Sequence, residues 1–389
     1  MKPIGEIVTT LGRAYDRAQG VPYGLRAADR LMHLHVIGQT GTGKSTLLAN
    51  LALQDAAQGT GFCLIDPHGD LAEAVTARLD QPAIIWRVAD PACPYGYNPL
   101  TRVPAAYRPL VASGLIDALK KQWADAWGPR MEHLLRHAIL ALLDQPRADL
   151  TDIMPLFLDK DRRREILPAI EDPEVRRFWA AEYDAMRYKG AVDGVAPIAN
   201  KLGAFLTHPL VRRAVCNPSE PLRFRRIMDE GQALIISLAK GRLGAGLANV
   251  LGGLIVASIV NAAFSRHEVA PEQRRPFMLS IDEFHAFTTG TLAEMLAEVR
   301  KYGLGLTLAH QHSAQVDTAV FEAILGNTGS LMVFRVGATD APLFVRQLET
   351  PSLGDLINLP NHRAFVRLMV GGSRTRTFSA ETLPLRPIG

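Results

Sequence analysis

Residues 38–45, with the sequence GQTGTGKS, constrain the fold of this chain more than any other segment. They begin at the end of a predicted strand at 34–38 and lead into a helical pattern at 44–58, which predicts a loop between a buried strand and a helix. In such a loop, glycines let consecutive backbone N–H groups point at a phosphate, and the positive end of the helix adds to the attraction. The alternative, a glycine-rich turn without a ligand, would not require that strand and that helix.

The side chains of this loop predict what it binds. Lys44 can reach the β- and γ-phosphate oxygens of a nucleotide, and the hydroxyl of Ser45 suits Mg²⁺. We therefore predict a nucleotide and Mg²⁺ as ligands. The expected nucleotide contacts are Gly38, Thr40, Gly41, Thr42, Gly43, Lys44, Ser45 and Thr46.

A second stretch, 277–283 with the sequence FMLSIDE, predicts a buried strand that ends in two acidic residues. Nucleotide hydrolysis needs one carboxylate for the magnesium shell and another that orients or deprotonates water. We expect Asp282 to hold Mg²⁺ through water and Glu283 to activate the attacking water. The pair argues against a GTPase-type site or a small-molecule kinase. The alternative is an acidic pair at a strand end without a chemical role.

Two more candidates follow the acidic pair. Gln311 ends the next predicted strand, where its amide can hydrogen-bond the γ-phosphate or its water. Arg300 ends the helix between them and, from an outward-facing position, could enter the site of a neighbouring subunit and neutralise transition-state charge. The alternative for Arg300 is a solvated surface charge, as for its neighbour Lys301.

Short apolar runs alternate with helical patterns near both ends of the chain, which predicts an α/β protein with a mostly parallel sheet. From 101 to 230 the strand pattern disappears and helical spacing dominates, which predicts an inserted, mainly α-helical domain. The final segment predicts two strands joined at Gly371 and Gly372. An apolar segment at 246–264 approaches the length of a membrane span, but we expect it to be a buried helix.

The composition excludes several classes of protein. The chain has 389 residues, of which 48% are hydrophobic and 21% charged, so it is neither disordered nor fibrous. A net charge of +4 permits an anionic partner without requiring one. The three cysteines, Cys63, Cys93 and Cys216, are too scattered for a zinc cluster and predict inert, reduced thiols. The first twenty residues lack the apolar core of a secretory signal, which favours a cytoplasmic location.

Five blocks in this order, GQTGTGKS, LIDPHGDL, LSIDEFHAF, EVRKYGLGLTLAHQ and FRVGATDA, resemble the FtsK–HerA superfamily of ring-forming motors. Within it they look most like the coupling proteins of type IV secretion and conjugative DNA transfer. The resemblance implies a RecA-like P-loop NTPase core. The implied organisation is a lead segment at 1–30, a motor domain at 31–100 and 231–389 that ends in a β-hairpin, and an all-α inserted domain at 101–230.

The resemblance also assigns roles to single residues. Arg300, eleven positions before Gln311, matches the arginine finger that acts across a subunit boundary, with Arg335 in FRVG as the second choice. Asp66 and His68 match a strand-end motif near the nucleotide, without an assigned step. The resemblance also implies the roles predicted above. Lys44 and Ser45 contact phosphate and magnesium, Asp282 and Glu283 serve the metal and the water, and Gln311 is the sensor.

The resulting expectation is a Mg²⁺-dependent ATPase that forms a ring, most simply a homohexamer, and moves DNA, most simply single-stranded DNA, for conjugation or type IV secretion. Secretion-channel or relaxase proteins are expected partners. Membrane-anchored coupling proteins begin with transmembrane helices, and the first thirty residues contain no such segment, so we expect no intrinsic membrane span and a peripheral position at the inner membrane face.

Two alternatives stay open. One is a HerA-like motor for DNA repair or defence, and the other is a secretion-assembly ATPase that does not act on DNA, which the small net charge permits. For the paired arginines of the helical segment, we expect solvated ion pairs rather than phosphate contacts. For its tryptophans, we expect core positions rather than stacking on bases. A loop at 284–291, with Thr288 and Thr289, is a candidate DNA contact because it follows the catalytic strand.

Overall fold

The computed structural model describes residues 7–15, 20–186, 194–216 and 218–387, except for the side chains of Thr291, Leu292 and Glu294. Parts of the predicted lead segment, of the helical insertion and of the 284–291 loop therefore lie outside the described residues. The chain divides into two compact units. The first comprises Met1–Trp86, Arg225–Ala239 and Arg266–Gly389, and the second comprises Arg87–Phe224 and Lys240–Ser265. The boundaries predicted at 100 and 231 stay a prediction.

The strands of the described residues are, in chain order, β1 (Val8–Ala14), β2 (Pro22–Arg26), β3 (Leu34–Ile37), β4 (Gly61–Asp66), β5 (Ile84–Arg87), β6 (Tyr95–Gly96), β7 (Glu220–Pro221), β8 (Ala233–Ser237), β9 (Phe277–Ile281), β10 (Leu304–His310), β11 (Ser330–Val333), β12 (Arg363–Arg367), β13 (Met369–Val370), β14 (Ser373–Arg374) and β15 (Phe378–Thr382). Eleven of these described strands form one sheet, in the spatial order β2-β1-β15-β12-β11-β3-β10-β9-β4-β8-β5.

The centre of this sheet is parallel, from β11 through β3, β10, β9 and β4 to β8. Every residue of β3, β4, β9 and β10 is buried, as expected for parallel strands that are covered on both faces. Ile281 pairs with both Ile65 and Leu308, and Leu308 also pairs with His35. This shared register brings the carboxyl ends of four strands to one edge of the sheet. The predicted α/β class with a mostly parallel sheet is confirmed.

The sheet continues on one side as an antiparallel segment of β12, β15, β1 and β2. Strands β1 and β2 were not predicted, since the first thirty residues were expected to be a lead segment. At the other end of the chain, β13 and β14 form a hairpin whose turn residues Gly371 and Gly372 have φ angles of 57° and 81°. Two consecutive positive φ angles suit glycine, so the predicted turn is confirmed.

The helices of the described residues are α1 (Ala27–Arg30), α2 (Lys44–Gln58), α3 (Asp70–Thr76), α4 (Arg108–Gln122), α5 (Pro129–Leu143), α6 (Ile153–Leu158), α7 (Lys160–Ile166), α8 (Pro173–Arg177), α9 (Tyr183–Ala185), α10 (Val195–Leu206), α11 (Pro209–Val215), α12 (Phe224–Glu230), α13 (Lys240–Leu243), α14 (Ala245–Phe264), α15 (Gly290–Val299), α16 (Thr318–Asn327), α17 (Ala341–Leu348) and α18 (Leu353–Ile357). Helix α2 has the predicted bounds.

The second unit is mainly helical, as the pattern after residue 101 predicted. Trp123 and Trp179 are 5% and 3% exposed, so they are core residues as expected. Several paired arginines form ion pairs with acids of the same unit, such as Arg162 with Asp152. All three cysteines are buried thiols, and burial raises the pKa of the Cys216 thiol to about 12, which agrees with inert thiols.

Helix α14 packs against α4 within the second unit. With the turn that follows it, α14 is the one described helix that is long and apolar enough to cross a membrane, by length and composition alone. However, 72% of its most apolar window is buried inside the protein. Helices inside soluble proteins meet the same criterion, and the expected buried helix agrees with this burial.

Candidate nucleotide-binding site

The glycine-rich loop begins where β3 ends, and its conformation depends on its glycines. Gly41 and Gly43 have φ angles of 76° and 117°, a region that L side chains rarely adopt. A Cβ atom on Gly38 would lie 2.5 Å from Cβ of Phe334. The backbone therefore turns sharply enough to aim its N–H groups inward, and helix α2 starts directly behind the loop.

Lys44 lies inside this loop, with only 6% of the residue exposed. Its Nζ donates hydrogen bonds to the carbonyl oxygens of Gly38 at 2.5 Å and Gln39 at 3.0 Å. Burial lowers the pKa of Lys44, while the charges of Asp282 and Glu283 oppose that shift. The ammonium is thus held beside both carboxylates, at the place where phosphate oxygens would meet it.

The hydroxyl residues of the loop have different environments. Thr42 is fully buried, and its Oγ1 donates to the carbonyl oxygen of Gln39 at 2.7 Å, which makes it a brace for the loop. Thr40 and Ser45 are exposed, and Thr46 is half-buried. The Ser45 hydroxyl at the start of α2 and the Asp282 carboxylate are both hard oxygen ligands, so the residues present fit a Mg²⁺ ion.

Asp282 directly follows β9 and is 7% exposed. Its Oδ1 accepts a hydrogen bond from the backbone N–H of Glu283 at 3.0 Å. Burial, together with the charges of Glu283 and Asp66, raises the pKa of Asp282 to about 6 against the opposing charge of Lys44. A buried carboxyl surrounded by like charges gains from a nearby divalent cation, which supports the predicted metal role.

Glu283 is held in an uncommon conformation beside the loop. Its φ and ψ angles of 49° and 42° lie in the left-handed region, which costs free energy in a residue other than glycine and is frequent at functional sites. Its Oε1 accepts a hydrogen bond from Nε2 of Gln311 at 2.6 Å, and its Oε2 lies 3.4 Å from Nδ1 of His285.

Gln311 connects the two predicted motifs. While its Nε2 donates to Glu283, its Oε1 accepts a hydrogen bond from Oγ1 of Thr40 at 2.9 Å. One amide therefore bridges the phosphate loop and the carboxylate expected to activate water. Its backbone position is fixed as well, because its N–H donates to Oε1 of Gln315 at 3.2 Å.

Asp66 lies at the end of β4, beside Asp282 at the same edge of the sheet. It is 1% exposed, and its two carboxylate oxygens accept the backbone N–H groups of His68 and Ala72, both at 2.9 Å. Asp66 therefore fixes the turn before α3 and adds negative charge next to Asp282. The His68 side chain is exposed.

Arg335 follows β11 and lies beside the phosphate loop of its own chain. It donates to Oε1 of Gln39 at 3.3 Å, to the carbonyl oxygen of Leu359 at 3.0 Å and to Oδ1 of Asn361 at 3.0 Å. Its own carbonyl oxygen accepts the N–H of Gln39 at 2.8 Å. These contacts brace the loop from within the subunit, whereas the sequence predicted an action across a subunit boundary, which stays a prediction.

Arg300 lies far from the loop of its own chain. It follows α15 and precedes β10, and its Nη1 lies 2.9 Å from Sδ of Met32, just before β3. Gln311 follows the other end of β10, so the seven residues of that strand separate the two by about 20 Å. The structure does not bring Arg300 to the other site residues.

The structure also adds a contact to the phosphate loop that the sequence did not indicate. The backbone N–H of His362 donates to the carbonyl oxygen of Thr42 at 2.7 Å, and a Cβ on Gly43 would lie 2.9 Å from its Nδ1. His362 thus packs against the loop from a distant part of the chain, without a motif that could have signalled it. In the candidate DNA loop, Thr288 is buried and Thr289 is half-buried.

This sheet, with a phosphate loop between β3 and α2 and two acids at the end of β9, defines a P-loop NTPase of the RecA-like fold. The family described as the central domain of helicase HerA matches residues 8–161. The predicted resemblance to the FtsK–HerA superfamily is confirmed. No curated protein matches the sequence.

Solved structures resemble almost the whole chain. An unbound form of the bacterial conjugative coupling protein TrwB is 18% identical, with a TM-score of 0.65 over 98% of this chain and 90% of that one. TrwB in complex with ADP and Mg²⁺ is 19% identical, with a TM-score of 0.66 over 98% and 91%. VirB4 of Thermoanaerobacter pseudethanolicus is 13% identical, with a TM-score of 0.64 over 97% and 96%. At these low sequence identities, the structural similarity establishes the fold of this chain.

Proposed function

We propose that the protein is a Mg²⁺-dependent ATPase that works as a ring-forming DNA motor, similar to the coupling proteins of conjugation and type IV secretion. The observation that carries the ATPase is the bridge of Gln311 between Thr40 and Glu283. It joins a phosphate-binding loop to a carboxylate suited to activate water. The motor proposal is supported by the similarity to a conjugative coupling protein along almost the whole chain.

The site residues have separate roles in the proposed reaction. The glycine-rich loop and Lys44 bind the phosphates, and Ser45 and Asp282 would hold Mg²⁺, which when bound neutralises charge on the β- and γ-phosphates. The oxygen of water attacks the γ-phosphorus while the bond from that phosphorus to the bridging oxygen breaks, and Glu283 accepts the proton of the water. The Gln311 amide orients Glu283 and lies where it can contact the γ-phosphate.

The ligands of the similar structures agree with this proposal. TrwB has been solved with ADP and Mg²⁺, with a non-hydrolysable ATP analogue and with a non-hydrolysable GTP analogue. We propose ATP as the nucleotide of this chain. We also propose a peripheral position at the cytoplasmic face of the inner membrane, next to channel or relaxase proteins.

The position of Arg300 supports the proposal that the protein forms a ring. This arginine is exposed at the amino edge of the sheet and lies about 20 Å from the carboxyl edge that holds the nucleotide loop. An arginine there cannot reach the γ-phosphate of its own subunit. We propose that it reaches the nucleotide of a neighbouring copy in a homohexamer.

A second candidate is a HerA-like motor for DNA repair or defence. The family match to the central domain of helicase HerA favours it, since that match covers the phosphate loop and part of the helical unit. Both candidates hydrolyse ATP and act on DNA. Relaxase and channel partners would support transfer, and a nuclease partner would support repair.

The deciding experiment is steady-state ATP hydrolysis by the purified protein with single-stranded DNA, with duplex DNA and without DNA. It is run over a range of protein concentrations at two salt concentrations, with Lys44→Ala as the inactive control. A ring motor predicts DNA stimulation that rises cooperatively with protein concentration and weakens with salt. A rate of ATP hydrolysis that does not change when DNA is added would instead support a secretion-assembly ATPase.

A further inference from the structure

A pair of buried histidines lies directly behind Gln311. His310 is the last residue of β10 and His35 belongs to β3, and both are 0% exposed. Their Nε2 atoms are 2.8 Å apart, and their rings stack at a centroid distance of 5.0 Å and an interplanar angle of 17°. The pair therefore joins the strand that leads into the phosphate loop to the strand that carries Gln311.

The surroundings of the pair are aromatic. The Phe284 ring contacts His310 with its centroid at 4.8 Å, and the Phe321 ring is 5.9 Å from both imidazoles. The Phe344 ring is 6.3 Å from His35. Phe284 is the residue after Glu283, so this cluster also touches the strand end that carries the expected water-activating carboxylate.

The hydrogen bonds fix the tautomers of the two rings. Burial lowers the pKa of both histidines, so both rings are neutral. Nδ1 of His310 lies 3.2 Å from the carbonyl oxygen of His312, which can only accept, so Nδ1 carries the proton of that ring. His310 must then accept at Nε2 from His35. Nδ1 of His35 is left as an acceptor with no hydrogen-bond partner among the described residues.

This arrangement is costly for a purely structural element. A buried acceptor without a partner destabilises the folded state, and an apolar pair of similar volume would fill the same space without that cost. A directional hydrogen bond fixes the relative position of two strands more narrowly than apolar packing does. The pair lies at the two strand ends where such a constraint affects the nucleotide site.

We propose that His35 and His310 are positioning residues whose hydrogen bond holds the end of β10 against the phosphate-loop strand, so that the Gln311 amide bridges Thr40 and Glu283. The inference rests on the proposed ATPase function for its kinetic consequence. It assigns the pair no contact with the nucleotide. The two histidines act through Gln311.

The test replaces His310 with phenylalanine, which keeps an aromatic ring and removes the hydrogen bond. Because an oriented hydrogen bond is lost, kcat should fall about tenfold while KM for ATP changes less than about twofold. His310→Gln should keep most of the wild-type activity, because the glutamine amide oxygen can accept the hydrogen bond that Nε2 of His35 donates. Phe344→Leu is the matched control, since it trims the same aromatic cluster and leaves the hydrogen bond in place.

A double-mutant cycle separates positioning from general destabilisation. If His310 acts through Gln311, His310→Phe should have no further effect on kcat in a Gln311→Ala background. If the fold-losses in kcat of the two single variants multiply in the double variant, the proposal is overturned. An unchanged kcat in a folded His310→Phe variant, or an equal loss in Phe344→Leu, would also overturn it.

A binding measurement tests the pair even if the wild-type protein hydrolyses no ATP, which would refute the proposed ATPase alone. The dissociation constants of ADP and of a non-hydrolysable ATP analogue are measured by fluorescence titration. Because we expect the Gln311 amide to contact the γ-phosphate, His310→Phe should weaken binding of the ATP analogue severalfold relative to ADP. An unchanged ratio, or a wild-type protein that binds neither nucleotide, would overturn the inference.

Discussion

Replacing Glu283 with glutamine should separate nucleotide binding from hydrolysis. The two side chains have the same shape, and an amide oxygen can accept the hydrogen bond that Nε2 of Gln311 donates to Oε1 at 2.6 Å. The bridge to Thr40 can therefore persist. The substitution removes one negative charge and the basic oxygen that would take a proton from water.

The size of the effect follows from that role. A positioned general base contributes about 10²- to 10⁴-fold to rate, which corresponds to about 3–5 kcal/mol of barrier. Nucleotide affinity should change by less than about threefold, because Lys44 and the glycine-rich loop keep their geometry. Loss of the Glu283 charge also removes one cause of the raised pKa of Asp282, which favours the ionised form needed for metal binding.

The assay combines fluorescence titration of nucleotide with single-turnover hydrolysis of labelled ATP. Glu298→Gln is the matched control, because it makes the same chemical change in an exposed residue that pairs with Lys301 at 2.7 Å. We expect the control to hydrolyse ATP normally. Hydrolysis by Glu283→Gln within about threefold of the wild type would refute its role as the base, and a parallel loss of binding would show a structural role instead.

Three further predictions test other parts of the site. Lys44→Ala should abolish ATP binding in a calorimetric titration without unfolding the protein, because the Nζ of Lys44 donates its hydrogen bonds to carbonyl oxygens of the loop itself. As pH falls from 6.5 to 4, the thermal unfolding temperature of the nucleotide-free protein should fall. Burial lowers the pKa of His33 to about 4 and of His35 to about 3, so the unfolded chain binds more protons than the folded protein in this pH range. An unfolding temperature that does not change with pH would contradict this. Arg300→Ala should reduce turnover about 10³-fold and recover activity when mixed with Glu283→Gln subunits, which supply the arginine; no recovery would argue against a contact between subunits.

Local pattern was enough to predict the parallel core of the fold. Strand β4 is an apolar run that ends in Asp66, β9 is a mainly apolar run that Asp282 follows, and α2 lies between glycines that limit it at both ends. The missed strands β1 and β2 have mixed burial and, among the described strands, β1 pairs with β2 and with β15 near the other end of the chain. Such distant antiparallel pairing leaves little local signal, because packing against the partner determines strand preference.

The candidate site was predictable to the extent that it depends on strand ends. Asp282, Glu283 and Gln311 each follow a parallel strand, and parallel strands place their carboxyl ends at one edge. The contacts among these side chains depend on strand register and rotamers, which the sequence pattern does not specify. Neither the bridge from Gln311 to Thr40 nor the pairing of His35 with His310 could therefore be predicted.

The same register determines what a single copy of this chain can do. Helix α15 starts a few residues after Glu283 at the nucleotide edge of the sheet and ends before Arg300 at the opposite edge. Nε2 of His33 contacts the carbonyl oxygen of Leu296 in α15 at 2.8 Å, so the base of β3 holds the helix that leads to Arg300. If nucleotide binding shifts β3, we expect this contact to carry the shift to Arg300. If Arg300 acts on a neighbour, nucleotide state in one subunit changes catalysis in the next, and the subunits of a ring would hydrolyse ATP in sequence rather than independently.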